Sequence, residues 1–189
     1  MAQYTSAFAD HVGSGGSNAL GASVKASDLT ADQITGTATY KGSAAGKYAY
    51  KGEPGSADHG GHFTADAELK ANFGTITTAN TDGVTGTINN FRLNDESTDS
   101  SKWSVKLEKA NIGSNTGMLN VPTDGTVWSI DGTAATESGT WSGTMYDEKV
   151  IGDSDDGSNI PTTVIGEFYS EFGSFGRMVG AFGANHSGD

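Results

Sequence analysis

At 189 residues the chain suits one domain, long enough to bury a real core. Its formal charge of −12, from 23 acidic against 11 basic side chains, argues against nucleic acid and anionic membrane partners, since both need a positive protein face. Cysteine is absent, which excludes disulfides, thiolate metal sites and a cysteine nucleophile, and no apolar run is long enough for a transmembrane helix.

The opening Met1-Ala2-Gln3-Tyr4-Thr5 lacks the basic-then-apolar pattern of a secretory leader, which leaves open a leader already removed or a domain of a longer protein. Gly13-Ser14-Gly15-Gly16-Ser17 reads as flexible, and Ser27 or Asp28 can cap a helical turn over 27–33. Residues 1–33 are therefore expected to form a short leader, and 34–189 a β domain.

From Ile34 onward the hydrophobic period is two. Phe63, Ala65, Ala67, Leu69, Ala71 and Phe73 share one face, with Thr64, Asp66, Glu68, Lys70 and Asn72 on the other. Such alternation marks a half-buried strand, because successive side chains point to opposite faces. Trp103, Val105 and Leu107, and later Trp141, Gly143 and Met145, alternate in the same way. The predicted strands are 34–41, 46–51, 62–72, 84–92, 102–110, 126–130, 139–146, 162–170 and 177–183. Turn residues separate several of them: Gly52-Glu53-Pro54-Gly55, Thr81-Asp82-Gly83 and Thr123-Asp124-Gly125. Eight or nine strands with short links and no long helix predict an all-β, antiparallel up-and-down β-barrel, with a sandwich as the alternative. Gly36, Gly86, Gly139, Gly143, Gly166 and Gly180 fall inside strands, where they provide either curvature or room for large rings.

The ordered glycine–aromatic strands resemble the barrel domains of transferrin-binding protein B. The matching segments begin with Gly36-Thr37-Ala38-Thr39-Tyr40-Lys41-Gly42, then Ala45-Gly46-Lys47-Tyr48, then Phe63-Thr64-Ala65-Asp66 through Leu69 and Phe73-Gly74. They continue with Gly139-Thr140-Trp141-Ser142-Gly143-Thr144-Met145-Tyr146, Pro161-Thr162-Thr163-Val164-Ile165-Gly166-Glu167-Phe168 and Gly180-Ala181-Phe182-Gly183-Ala184. Asp147 stands where the family has a further Gly, and the handle domain that precedes the family's barrel is nearly absent. The resemblance implies the barrel and export to the outer surface of a Gram-negative bacterium, with a host protein or iron source as partner. The handle's share of transferrin contact does not carry over.

Candidate chemistry is sparse. Asp153, Asp155 and Asp156 cluster oxygen ligands suited to calcium, yet Gly157 falls one place early for an EF-hand loop and Val164 sits where its bidentate Glu belongs. A solvated acidic loop is the preferred reading. His59 and His62 flank Gly60-Gly61 and could ligate a metal or haem iron, against the plainer reading of surface histidines. Trp103, Trp128, Trp141, Phe168 and Phe182 read as core, with an aromatic-lined pocket as the alternative. No nucleophile elbow, isolated acid–base pair or phosphate loop stands out. The expectation is a non-catalytic, monomeric surface or secreted binding module with no cofactor, acting through loops 94–101, 113–125 and 147–159. A haem or small-ligand carrier and a structural or adhesive module are the alternatives.

Overall fold

A computed structural model of the chain describes residues 22–23, 36–50, 59–73, 83–94, 100–112, 119–120, 125–135, 139–147, 160–174 and 176–187. Within them run β1 (Ala22–Ser23), β2 (Thr37–Tyr50), β3 (His59–Asn72), β4 (Gly83–Leu93), β5 (Trp103–Ile112) and β6 (Leu119–Asn120). These are followed by β7 (Thr126–Ile130), β8 (Thr133–Ala134), β9 (Thr140–Asp147), β10 (Thr163–Phe172) and β11 (Gly176–His186). The fold is all-β and antiparallel, and no helix among the described residues is long and apolar enough to cross a membrane. The helical turn predicted at 27–33 lies outside the described residues.

The sheet order is β1-β9-β10-β11-β2-β3-β4-β5-β7-β8, with β6 paired to β5. From β2 to β5 and from β9 to β11 consecutive strands are neighbours, and β11 returns to pair with β2 along its full length. The expected all-β antiparallel class holds, while the ladder itself is not continuous around the sheet. Its path places β8 at one end, while β9, next in the chain, lies at the other beside the two-residue β1. A single antiparallel bridge, Thr126 to Gly139, joins the two sides. There Gly125 N–H donates to the Gly139 carbonyl at 2.9 Å, and Gly139 N–H reaches the Thr126 carbonyl at 3.3 Å. The buried Thr126 Oγ1 accepts Gly139 N–H at 3.0 Å and donates to the Tyr169 carbonyl at 2.8 Å, tying β7 to β10.

One apolar core fills the concave side, contributed by every long strand. The alternation in β3 holds without exception: Phe63, Ala65, Ala67, Leu69, Ala71 and Phe73 are all buried. Residues 42–45, expected to separate the strands 34–41 and 46–51, instead run straight through β2. Gly42 and Gly46 sit there because a neighbouring backbone comes too close for a side chain: a Cβ at Gly42 would lie 2.0 Å from the Gly183 carbonyl oxygen.

Two bulges change the phase of the alternation. In β4 the register slips opposite Thr64 and Asp66, and Asn90 takes a φ of 53°. The extra residue lets Ile88 and Phe91 both point inward, although they are three apart. In β5 a second slip between the partners of Val84 and Gly86 moves the buried series from Leu107 to Ala110 and Ile112. Asn90 also donates to Asp66 Oδ2 at 2.8 Å.

Left-handed backbone is tolerated by Gly and Asn but costs a β-branched residue about 1–2 kcal/mol. Asn90→Val is therefore expected to lower stability by about that amount, whereas Asn90→Gly stays near the parent in urea unfolding. Equal losses in both variants would assign the cost to the Asp66 contact and refute the backbone argument.

Candidate functional site

The sheet has two unlike ends. At the first, β2, β4, β7 and β10 finish and β3 and β11 begin. Its last inward layer is Tyr50, His59, Leu93, Ile130 and Phe172, and each of these is only partly buried. Registration explains how they meet. Tyr50 stands opposite His59 on one side and Gly176 on the other, Gly176 faces Phe172, and Ile130 faces Trp103.

Beneath this layer lie the buried rings of Trp103 and Trp128, packed edge-on with centroids 4.9 Å apart. Tyr50 packs on both, at 5.3 Å and 6.1 Å, and Phe172 packs on Trp128 at 5.7 Å. Gly176 leaves the space that Trp128 occupies, since a Cβ there would sit 2.9 Å from the indole. At the opposite end Phe73, Ile112, Leu119 and Met145 are buried, and Ile160 is partly buried.

His59 and His62 do not converge. Both belong to β3, and three places along a strand puts them on opposite faces. His59 follows the inward series beside Tyr50, while His62 is exposed on the outer face. The glycines between them serve a different purpose from ligand approach. Gly61 makes room for Asn94, whose Oδ1 accepts His62 N–H at 2.7 Å while its own N–H donates to the His62 carbonyl at 3.0 Å. Among the described residues no group of three histidine or carboxylate side chains is placed to hold a metal. Asp153, Asp155 and Asp156 lie outside the described residues. His186, at the end of β11, packs against Tyr40 with centroids 5.7 Å apart.

Aromatic side chains crowd the interior. Trp103, Trp128, Trp141, Phe168 and Phe182, read from sequence as core, are all buried, and Trp128 and Phe182 have no surface that water can touch. Glycines again make room: a Cβ at Gly180 or Gly46 would strike the Phe63 ring, and one at Gly166 the Phe182 ring. Trp141 Nε1 donates to the Glu108 carbonyl at 3.0 Å, at the bulge of β5. Trp128 Nε1 has no acceptor among the described residues. Burial pushes the Tyr40 phenol well above its ordinary pKa, so this hydroxyl stays protonated.

Charge is confined to the outside. Arg92 grips Asp66 through both guanidinium nitrogens at 3.1 Å. The hydrogen bond from Asn90, and then those from Arg92, hold the Asp66 carboxyl below its usual range. Lys102 pairs with Asp131 at 2.9 Å beside the aromatic end. Both are exposed, so such pairs add little stability.

The three loops expected to bind do not share one end. Leu93 and Trp103, which flank 94–101, stand at the aromatic end, whereas Ile112, Asp147 and Thr163, which flank the other two, stand at the opposite end; the segments themselves lie largely outside the described residues. Tyr50 and Ile130 fall inside predicted strands, but the rest of the layer was missed in sequence because other predicted strands stop short. Leu93 falls one residue past 84–92 and Phe172 two past 162–170. Their signal was the inward phase carried one step further. No family model and no curated protein matches the chain.

Proposed function

We propose that the protein is a non-catalytic binding module, displayed on a bacterial surface or secreted, that recognises a protein or iron-source partner through the ends of its sheet. The single observation that supports this most is the buried, mutually packed aromatic interior. With Trp128 and Phe182 fully buried and ring packed on ring, the concave side serves as scaffold, which leaves strand ends and loops to meet a partner. The ordered resemblance to transferrin-binding protein B barrels supports the surface location and the iron-linked partner class. The haem-carrier alternative loses its motive, since His59 and His62 lie on opposite faces of β3.

The test pairs two measurements on the whole chain. Immobilised protein is expected to retain at least one protein from a panel of host iron proteins, and haemin titration is expected to leave the Soret band of free haemin unchanged. A stoichiometric Soret shift, or retention of none of the panel, would overturn the reading.

A further inference from the structure

The junctions of the sheet are not equally held. β11 pairs with β2 from Gly176 to His186, and β2 with β3 from Thr37 to Tyr50. Between β7 and β9 the described residues make no ladder, only the bridge from Thr126 to Gly139. Gly125 N–H and Thr126 N–H donate to the Gly139 carbonyl at 2.9 Å and 3.2 Å, and Gly139 N–H donates to the Thr126 carbonyl at 3.3 Å. Side chains add further ties. Thr126 Oγ1 bonds to the Tyr169 carbonyl, Trp141 Nε1 to the Glu108 carbonyl, and Trp128 packs on Phe172.

The same seam carries buried polar groups with no hydrogen-bond partner among the described residues, one on each side. Trp128 Nε1 belongs to β7 and Ser170 Oγ to β10, and neither residue has surface open to water. Buried polar groups are nearly always bonded, and an unbonded one bears its full desolvation cost. Here that cost is borne only while the seam is shut. Water that enters hydrates both groups, so their desolvation is recovered on opening.

We infer that the folded sheet uncurls reversibly at this seam. β7 and β8 part from β9 and β10, while every ladder from β9 round to β8 stays paired. The open form bares Trp128 and gives the aromatic interior a route of access that the closed fold denies. The opening does not depend on which partner the protein binds.

Native-state hydrogen exchange on the isotope-labelled full chain, followed by NMR at rising low urea, tests this. The amides of Gly125, Thr126 and Gly139 and the indole N–H groups of Trp128 and Trp141 are expected to exchange through one shared opening, with a common dependence on urea. Corrected for intrinsic rates, that exchange should be at least about tenfold faster than at Leu69 and Phe182, which are paired on both sides. Separate, urea-independent rates would mean local fraying and would overturn the inference. Rates equal to those of Leu69 and Phe182 would also overturn it.

Ser170→Ala asks whether the opening reaches the orphan hydroxyl. It removes a group that has no partner among the described residues and little volume. The shared seam exchange is expected to slow at least about fivefold, because opening no longer hydrates a buried hydroxyl. Slowing at Leu69 and Phe182 with the seam unchanged means that Ser170 stays dry when the seam amides exchange, and overturns the inference.

Discussion

Gly139→Ala is expected to be among the most damaging single substitutions in the chain. A Cβ at this position would lie 1.9 Å from the Tyr169 carbonyl oxygen and 2.7 Å from Thr126 Oγ1. Neither neighbour can move independently, because the Tyr169 carbonyl accepts the Thr126 hydroxyl and Gly139 forms the bridge to Thr126. The added methyl must therefore push β9 away from β10 or from β7. Overpacking of this kind costs about 1–3 kcal/mol, and each hydrogen bond broken at the bridge adds about 1 kcal/mol. The expected loss is about 3–5 kcal/mol, a large share of the roughly 5–15 kcal/mol that stabilises a domain.

Gly132→Ala is the control, because a Cβ there meets nothing within 4 Å. Its φ of 78° limits the loss to about 1–2 kcal/mol from the left-handed backbone. Urea unfolding of the two variants separates space from conformation. If Gly139→Ala cost no more than Gly132→Ala, the bridge would not be the crowded seam described above.

That seam was only partly legible in the sequence. The strand at 126–130 was placed correctly and the one beginning near 139 almost so, because their alternation is local. The missing step was Asp131-Gly132, a standard signal for a two-residue hairpin. Both residues have positive φ, 52° and 78°, and they turn β7 into β8, so the chain pairs with β7 before it moves on to β10. Partner exchange of this kind depends on contacts between Thr126, Gly139 and Tyr169, which are 13 and 43 residues apart for the two Thr126 bonds. No local pattern encodes it.

The bulges set a similar limit. Strict alternation through β4 would have placed Asn90 inward and Phe91 outward, and the structure does the reverse. Asn89-Asn90 is compatible with a left-handed residue, but equally with an exposed strand, so the phase change could not be read. The candidate site suffered from both effects. Its histidines were judged by spacing alone, whereas strand parity separates them. Its apolar layer sits at strand ends, where boundary errors of one or two residues remove the residues that matter. By contrast, the central aromatic residues were identified correctly, because a large ring between polar neighbours on a strand has few places to go except inward.

The three tryptophans allow a sharper statement about what that interior contributes. Trp128→Ala is expected to lower stability by about 3–5 kcal/mol. The ring is fully buried and touches Trp103, Tyr50 and Phe172, so truncation leaves the aromatic end without its floor. Trp128→Phe should behave quite differently. It keeps a ring in place and removes an indole N–H that is buried without an acceptor among the described residues. Relief of that orphan donor is worth about 1–3 kcal/mol, and it offsets a cavity term of about 1 kcal/mol for the lost ring volume. The variant should stay within about 1 kcal/mol of the parent.

Trp141→Phe makes the same chemical change at a similarly buried site, but there the indole N–H is bonded to the Glu108 carbonyl. Removing it leaves the bulge carbonyl unsatisfied, so this variant should be less stable than Trp128→Phe by about 2 kcal/mol. Denaturant unfolding of the pair decides the matter. The comparison depends on a difference between two like substitutions, so changes common to the unfolded state largely cancel. Equal losses, or a greater loss at Trp128, would mean that ring volume alone governs the interior and that the carbonyl exposed by the β5 bulge is not a structural acceptor. The expected order instead makes the bulge part of how the sheet holds its seam, since it presents Glu108 on β5 to Trp141 on β9 where no backbone ladder joins those strands.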